Sequence, residues 1–86
     1  MYEWGEEKSA ENLRKHGISF AEVIGFDWET ALVLEDDRFD YGEDRYRAIG
    51  RIGFNAYLLA FTYRGDEIRV ISLRRLTRQE IKRYGF

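Results

Sequence analysis

The chain of 86 residues contains no cysteine, no proline and a single histidine. Without cysteine it has no disulfide framework, no thiolate nucleophile and no cysteine-based zinc site. One histidine alone makes a poor metal site, so the only metal candidate is the acidic loop around Asp36, Asp37 and Asp40. Because that loop lacks the spacing of a calcium loop, we interpret it as solvated or partner-facing, and we predict no metal and no cofactor.

Long apolar segments are also missing. No apolar run approaches the roughly 20 residues that span a bilayer, and the first eight residues do not have the pattern of a signal peptide. We therefore expect a cytoplasmic protein with no membrane partner. The length fits one domain over residues 1–86, and the hydrophobic content of 44% is enough for one core without disulfides.

Charge is abundant, but it is divided between the two halves of the chain. Residues 1–44 carry thirteen acidic and four basic side chains, whereas residues 45–86 carry ten basic and three acidic ones. Nine of those ten cations are arginine, whose planar fork of donors suits phosphate. Such an arginine field can bind a polyanion although the net charge is −2. Solvated strand faces paired with the acidic half explain the pattern equally well.

Two helices are predicted at the start of the chain. The first spans about residues 6–15, with Ala10 and Leu13 facing inward and Gly17 as its C-terminal stop. Ser19 and Glu22 have the spacing of a capping box, which predicts a short second helix that ends near Gly25.

Strands dominate the remainder, and a last helix closes the chain. Apolar and alternating patterns predict strands over residues 31–34, 45–52, 56–63 and 67–74. A second capping box, from Thr77 to Glu80, opens a helix that ends near Tyr84. Since short glycine-containing turns join the strands, we predict an α+β fold with an antiparallel four-stranded sheet and the helices on one face.

Several arginines fall on predicted strands. The strand over residues 45–52 carries three on one face, and these are Arg45, Arg47 and Arg51. On the last strand, period-2 geometry sends Arg69 and Arg75 to one face and Arg74 to the other unless a bulge intervenes. Because burying an unpaired guanidinium costs several kcal/mol, each arginine is either paired with a carboxylate or held at an open anion site. For any single arginine, a salt bridge is the simpler explanation.

The single histidine, His16, ends the first predicted helix. A helix C-terminus favours the imidazolium, and a histidine suits general acid–base catalysis of phosphodiester cleavage near neutral pH. The alternative is a capping role in which its ring binds the terminal carbonyls.

Three segments of the chain together carry a resemblance to a known protein family. The first is Glu3-Trp4 with Lys8 and Asn12, followed by Lys15-His16-Gly17-Ile18-Ser19-Phe20. The second is Gly42-Glu43-Asp44-Arg45 with Ile49-Gly50, and the third is Ile68-Arg69-Val70-Ile71-Ser72-Leu73-Arg74-Arg75 with Thr77, Glu80 and Tyr84. In this order and spacing the three segments resemble the BrnT family of type II toxins, and the resemblance spans nearly the whole chain. The chain departs from it at Gly5, where the family usually has Asp, and at Leu73 and Leu76, which replace small residues.

The resemblance implies a small ribonuclease with a RelE-like fold, which cuts RNA and inhibits translation, and we expect cleavage without a metal. It implies a BrnA-like antitoxin with a ribbon-helix-helix part as protein partner, and operator DNA bound only through that antitoxin. We also expect a dimeric toxin within the complex. A non-catalytic RNA- or antitoxin-binding module that acts in operon autoregulation is the alternative.

The predicted site draws on all three segments. The catalytic candidates are His16, Glu43, Arg45, Arg69 and Arg74. Either His16 or Glu43 would activate the 2′-hydroxyl, and the arginines would stabilise the charged phosphorane. The RNA-binding candidates are Lys8, Arg47, Arg75 and Tyr84. On this assignment, Arg74→Ala should lose activity by orders of magnitude with little change in melting temperature.

Overall fold

A five-stranded mixed sheet forms the centre of the fold in the computed structural model, which describes residues 1–38 and 40–86. The strands are β1 (Tyr2–Glu3), β2 (Leu32–Glu35), β3 (Tyr46–Ile52), β4 (Asn55–Arg64) and β5 (Glu67–Arg75). Their order across the sheet is β1-β5-β4-β3-β2. The helices are α1 (Glu6–His16), a 3₁₀ helix (Phe20–Gly25) and α2 (Arg78–Tyr84). Among the described residues, no helix has the length and apolar character to cross a membrane.

The predicted α+β class is confirmed, but the four-stranded antiparallel sheet is wrong. Strands β2 to β5 pair antiparallel and begin and end within one or two residues of the prediction. Strand β1 adds a fifth position, parallel to β5, with Tyr2 opposite Ile68 and Glu3 opposite Arg69. A strand of two residues is too short to show a period-2 pattern, and only its long-range pairing makes it part of the sheet.

The second predicted helix exists, but it is a 3₁₀ helix and the capping box at Ser19 is wrong. The Ser19 side chain makes no capping bond, and the Glu22 N–H donates to the Ser19 carbonyl at 3.2 Å instead. The segment buries Phe20 and Val23, which are three residues apart, and this matches the 3₁₀ repeat. In contrast, the box at Thr77 forms, because its hydroxyl accepts from the Glu80 N–H and the Glu80 carboxylate accepts from the Thr77 N–H.

Helix α1 contacts the sheet through polar side chains rather than through the predicted Ala10 and Leu13. Ala10 is exposed and Leu13 is 51% exposed, whereas Ser9 and Asn12 are buried. The Asn12 amide donates to the Leu73 carbonyl at 2.7 Å and accepts from the Leu73 N–H at 3.3 Å. Asn12 therefore bonds to the edge of β5 as a neighbouring strand would, beyond the end of β1.

The prediction that all helices lie on one face of the sheet is wrong. α1 and the 3₁₀ helix pack on the main core, whose buried residues are Ile18, Phe20, Val23, Phe26, Ala48, Leu59, Phe61, Val70 and Leu73. The opposite face carries a smaller cluster of Ile49, Ala56, Leu58 and Leu76, with Leu34, Tyr84 and Phe86 packed against it. Tyr84 and Phe86 belong to the C-terminal segment that includes α2. This segment therefore covers part of the second face and leaves the rest of that face open beside it.

Candidate functional site

A β-bulge in β5 decides which arginines share a face. The pairing of β5 with β4 shifts by one residue at Ile71. As a result Arg69 and Arg74 both lie opposite even-numbered residues of β4, whereas Arg75 lies opposite an odd-numbered one. Since side chains alternate along a strand, Arg69 and Arg74 share the open face and Arg75 lies on the other. The sequence placed Arg69 and Arg75 on one face unless a bulge intervened, and the bulge at Ile71 puts them on opposite faces.

A cleft of about 360 Å³ opens on this second face, between the sheet and α2. We call it the arginine cleft, and its lining residues are Arg38, Arg47, Leu58, Ala60, Ser72, Arg74, Glu80, Arg83 and Tyr84. Four arginines face one carboxylate across a floor of two apolar residues. The lining of the cleft therefore carries a formal excess of positive charge.

Glu80 holds Arg74 in the cleft by a two-pronged ion pair. The guanidinium Nη1 and Nη2 atoms donate to the two carboxylate oxygens of Glu80 at 2.8 and 2.9 Å. The Arg74 hydrogen bonds hold the pKa of Glu80 at about 2, well below its ordinary value of 4.5. Glu80 is thus ionised at neutral pH and committed to Arg74, which makes it a weak proton acceptor.

Arg47 stands in the opposite situation. Its Nε atom is buried and forms no hydrogen bond to any described residue. A buried donor without an acceptor is costly, and the cost is offset when an anion occupies the adjoining space. Arg47 makes no salt bridge to a described residue and its side chain lines the cleft, so it is a candidate for anion binding there. Its neighbour Arg38 is already bound to Asp36 at 2.8 and 2.9 Å.

A second, smaller groove adjoins the arginine cleft. It measures about 200 Å³ and lies between α1 and β5, where Lys8, Lys15 and His16 supply cationic or titratable groups. Ser72 lines both the groove and the arginine cleft. The predicted residues Lys8 and His16 are therefore neighbours of the cleft rather than part of it.

The sequence matches a known protein family. A family model described as "Ribonuclease toxin, BrnT, of type II toxin-antitoxin system" matches residues 4–80. The chain belongs to the BrnT family. The resemblance read from the sequence is thereby confirmed, and membership implies a ribonuclease toxin of a type II toxin–antitoxin system with an antitoxin as its partner. A search of curated protein sequences gives no significant match.

The structure of this BrnT protein separates the other predicted site residues. Arg45 donates to Glu43 at 3.2 Å and lies 4.1 Å from the ring centroid of Tyr41, so this pair belongs to the acidic loop. Arg69 lies 3.9 Å from Glu3 at the β1 end of the sheet. Arg75 bonds to Asn55 at 2.9 Å on the opposite face. Of the nine predicted site residues, the arginine cleft brings together Arg47, Arg74 and Tyr84.

Sequence reasoning missed Arg38, Glu80 and Arg83 as members of the cleft. Glu80 did carry a signal, because the Thr77 capping box fixes it in the first turn of α2, directly after the strand that bears Arg74. Arg38 carried none, since its approach to the cleft depends on the path of the loop after β2.

We expect Gly5→Asp to stabilise this BrnT protein. Gly5 is the N-cap of α1 with an ordinary extended backbone, and no side chain caps the helix. A Cβ at this position would lie 3.7 Å from Nη2 of Arg69, so an aspartate would reach both the helix terminus and that guanidinium. The cap adds a few tenths of a kcal/mol and the helix dipole about 0.3–1 kcal/mol.

The resulting rise in melting temperature should be about 3–6 °C, measured by circular dichroism. Gly5→Asn is the matched control because it caps the helix without charge, and it should give a smaller rise. An unchanged or lower melting temperature for Gly5→Asp would contradict the geometry around Arg69.

Proposed function

We propose that this BrnT protein is an endoribonuclease that cleaves RNA in the arginine cleft without a metal ion and so inhibits translation in the cytoplasm. The observation that carries the proposal is that the buried Nε of Arg47 has no hydrogen-bond partner among the described residues and that Arg47 lines the same cleft as the Arg74 guanidinium. Both guanidiniums project from the same face of one sheet, on strands β3 and β5, which flank β4, so both could reach a phosphate group in the cleft between them.

Cleavage of an RNA phosphodiester places extra negative charge on the phosphorus oxygens in the transition state. Preorganised cations at that position lower the barrier, and arginine offers two parallel donors to two phosphate oxygens. In the arginine cleft, Arg47 and the Arg74 donors that Glu80 does not use would bind these oxygens, while Arg38 and Arg83 would add to the positive field. Arginines would therefore supply the charge that a metal ion supplies in other nucleases.

Proton transfer has fewer candidates. Tyr84 and Ser72 bring hydroxyl groups to the cleft, and His16 lies in the adjoining groove. We propose that catalysis depends mainly on positioning and charge, with Tyr84 donating a hydrogen bond to the departing oxygen and His16, in the adjoining groove, as the favoured base. Glu43, which bonds to Arg45, is the less favoured base.

A non-catalytic RNA-binding module is the second candidate, and one observation favours it. The carboxylate in the cleft, Glu80, is held in its ion pair with a pKa of about 2 and does not serve as a base. In this alternative, the same arginines bind RNA phosphates without cutting, and the protein acts in operon autoregulation with its antitoxin.

We propose that the protein partner is a BrnA-like antitoxin with a ribbon-helix-helix part, that the complex binds operator DNA through that antitoxin, and that the toxin is a dimer in the complex.

Incubation of the purified, antitoxin-free protein with total RNA in the presence of EDTA tests the proposal. We expect internal cleavage of the RNA, and the same preparation should inhibit a cell-free translation reaction. Cleavage that appears only when a divalent cation is added would contradict metal independence. RNA binding with steep salt dependence, but without cleavage in EDTA or with translating ribosomes, would favour the binding module.

A further inference from the structure

Strand β2 leaves one edge of the sheet uncovered. It is the last strand in the order β1-β5-β4-β3-β2, and its side chains Leu32 and Val33 are 40% and 47% exposed. At the other edge, β1 and the Asn12 side chain bond to β5. An exposed edge strand with apolar side chains is a template for pairing with another extended chain.

The hydrogen-bond pattern shows which groups of β2 are free. The Asp36 N–H donates to the Arg45 carbonyl at 2.8 Å, so the alternation of an antiparallel ladder assigns the inward bonds to Leu34 and Leu32. Val33 and Glu35 therefore point their N–H and C=O groups away from β3. Within residues 1–38 and 40–86 these four groups have no hydrogen-bond partner.

The charge around this edge selects the kind of partner. Residues 27–44 contain eight acidic side chains and one basic one, Arg38. Two copies of β2 paired with each other would bring two such segments together, and like charges at that distance repel. An extended segment rich in lysine or arginine would instead be attracted to the edge and oriented along it.

We propose that the β2 edge binds an extended basic segment of the antitoxin as an added sheet strand. The four free backbone groups of Val33 and Glu35 hold the segment, Leu32 and Val33 contact its apolar side chains, and the surrounding carboxylates attract its basic ones. The antitoxin is the protein partner that family membership supplies. The proposal does not depend on RNA cleavage, because the edge shares no residue with the arginine cleft.

Val33→Pro tests the edge directly, because it removes one outward N–H and leaves the inward bonds of Leu32 and Leu34 intact. Proline is tolerated on an edge strand when its missing N–H faces solvent, so the variant should fold. In titration calorimetry with the purified cognate antitoxin, we expect Val33→Pro to weaken binding at least about tenfold. Val33→Thr keeps the N–H and should bind as the wild type does, and circular dichroism confirms the fold of both variants.

Hydrogen exchange and salt dependence give two further readouts. In the complex, the amides of Val33 and Glu35 should become protected against exchange. Glu35→Gln combined with Asp37→Asn should weaken binding at low salt and lose that effect at about 0.5 M sodium chloride, where exposed charges are screened. Equal affinity of Val33→Pro and Val33→Thr, or protection at α1 with none at β2, would overturn the proposal. If the wild-type protein alone formed a dimer and Val33→Pro made it a monomer, the partner of the β2 edge would be a second copy of the chain and not the antitoxin.

Discussion

Replacing Arg47 with alanine should lower RNA cleavage by at least about 100-fold, which is the usual loss when one preorganised donor to the transition state is removed. The melting temperature should stay the same or rise slightly. The Arg47 Nε is buried and has no acceptor among residues 1–38 and 40–86, so the side chain carries a desolvation cost that the variant no longer has. Single-turnover cleavage rates and thermal melts of the same preparations measure the two effects. Arg47→Met, which keeps the apolar stem, should show the same loss of cleavage.

Arg75→Ala is the matched control for this result. Arg75 is one of the predicted RNA-binding residues, yet it lies on the opposite face of the sheet and bonds to Asn55 at 2.9 Å. Its removal takes the same charge from the protein but none from the arginine cleft, and an exposed substitution of this kind changes free energies by about 0.5 kcal/mol or less. Equal losses of cleavage for the two variants would mean that net charge, and not the cleft, governs activity.

Local signals account for the parts of the fold that the sequence predicted. Apolar runs gave the positions of β2 to β5, and the positive-φ glycine after α1 and the Thr77 capping box marked helix ends within one residue. The missed elements depend on distant partners. Strand β1 exists because Tyr2 and Glu3 meet β5, about 65 residues further along the chain. The prediction of which face of α1 points inward was wrong, because the Asn12 side chain bonds to the Leu73 backbone at the edge of β5. The apolar periodicity of the helix gives no sign of this polar contact.

In the candidate site too, some features follow from local sequence and others depend on distant contacts. The sequence and the family resemblance named Arg47, Arg74 and Tyr84, and the structure brings these three together. Neither the sequence nor the resemblance showed which arginines share a face of the sheet, because the bulge at Ile71 puts Arg69 on the face of Arg74 and not on that of Arg75. A single inserted residue has no compositional signature in an otherwise regular strand. The ion pair of Arg74 with Glu80 likewise depends on the path of the chain between β5 and α2.

Arg74→Ala is the variant for which the structure changes the expectation. Cleavage should still fall by about 100-fold or more, but the melting temperature should fall too, since Glu80 loses both of its charge-assisted hydrogen bonds. The Arg74 side chain is 34% exposed and Glu80 is 17% exposed, so we expect a loss of only about 1–2 kcal/mol. For a chain of this size that corresponds to about 5–10 °C in melting temperature.

The dependence of the melting temperature on pH below about 4.5 tests whether the ion pair between Arg74 and Glu80 causes this loss of stability. The pKa of Glu80 is lowered from 4.5 to about 2 in the folded protein, so its contribution is complete above about pH 4.5 and is lost as the pH falls toward 2. The difference in melting temperature between wild type and Arg74→Ala should therefore shrink over that interval. Asp36, whose pKa is also held at about 2 by Arg38, loses its contribution in the same interval in both proteins and cancels in the difference. A difference that stays constant with pH would contradict the ion pair.

Arg74→Lys separates the two roles of the side chain. Lysine keeps the charge and a single contact to Glu80, so most of the stability should return. It lacks the further guanidinium donors that remain on Arg74 once Glu80 is bound, so cleavage should remain at least about tenfold below the wild type. If Arg74→Lys restored cleavage and stability in parallel, Arg74 would act only by holding α2 against the sheet, and Arg47 would remain as the phosphate-binding arginine. Stability restored without activity would place the remaining donors of Arg74 on the substrate.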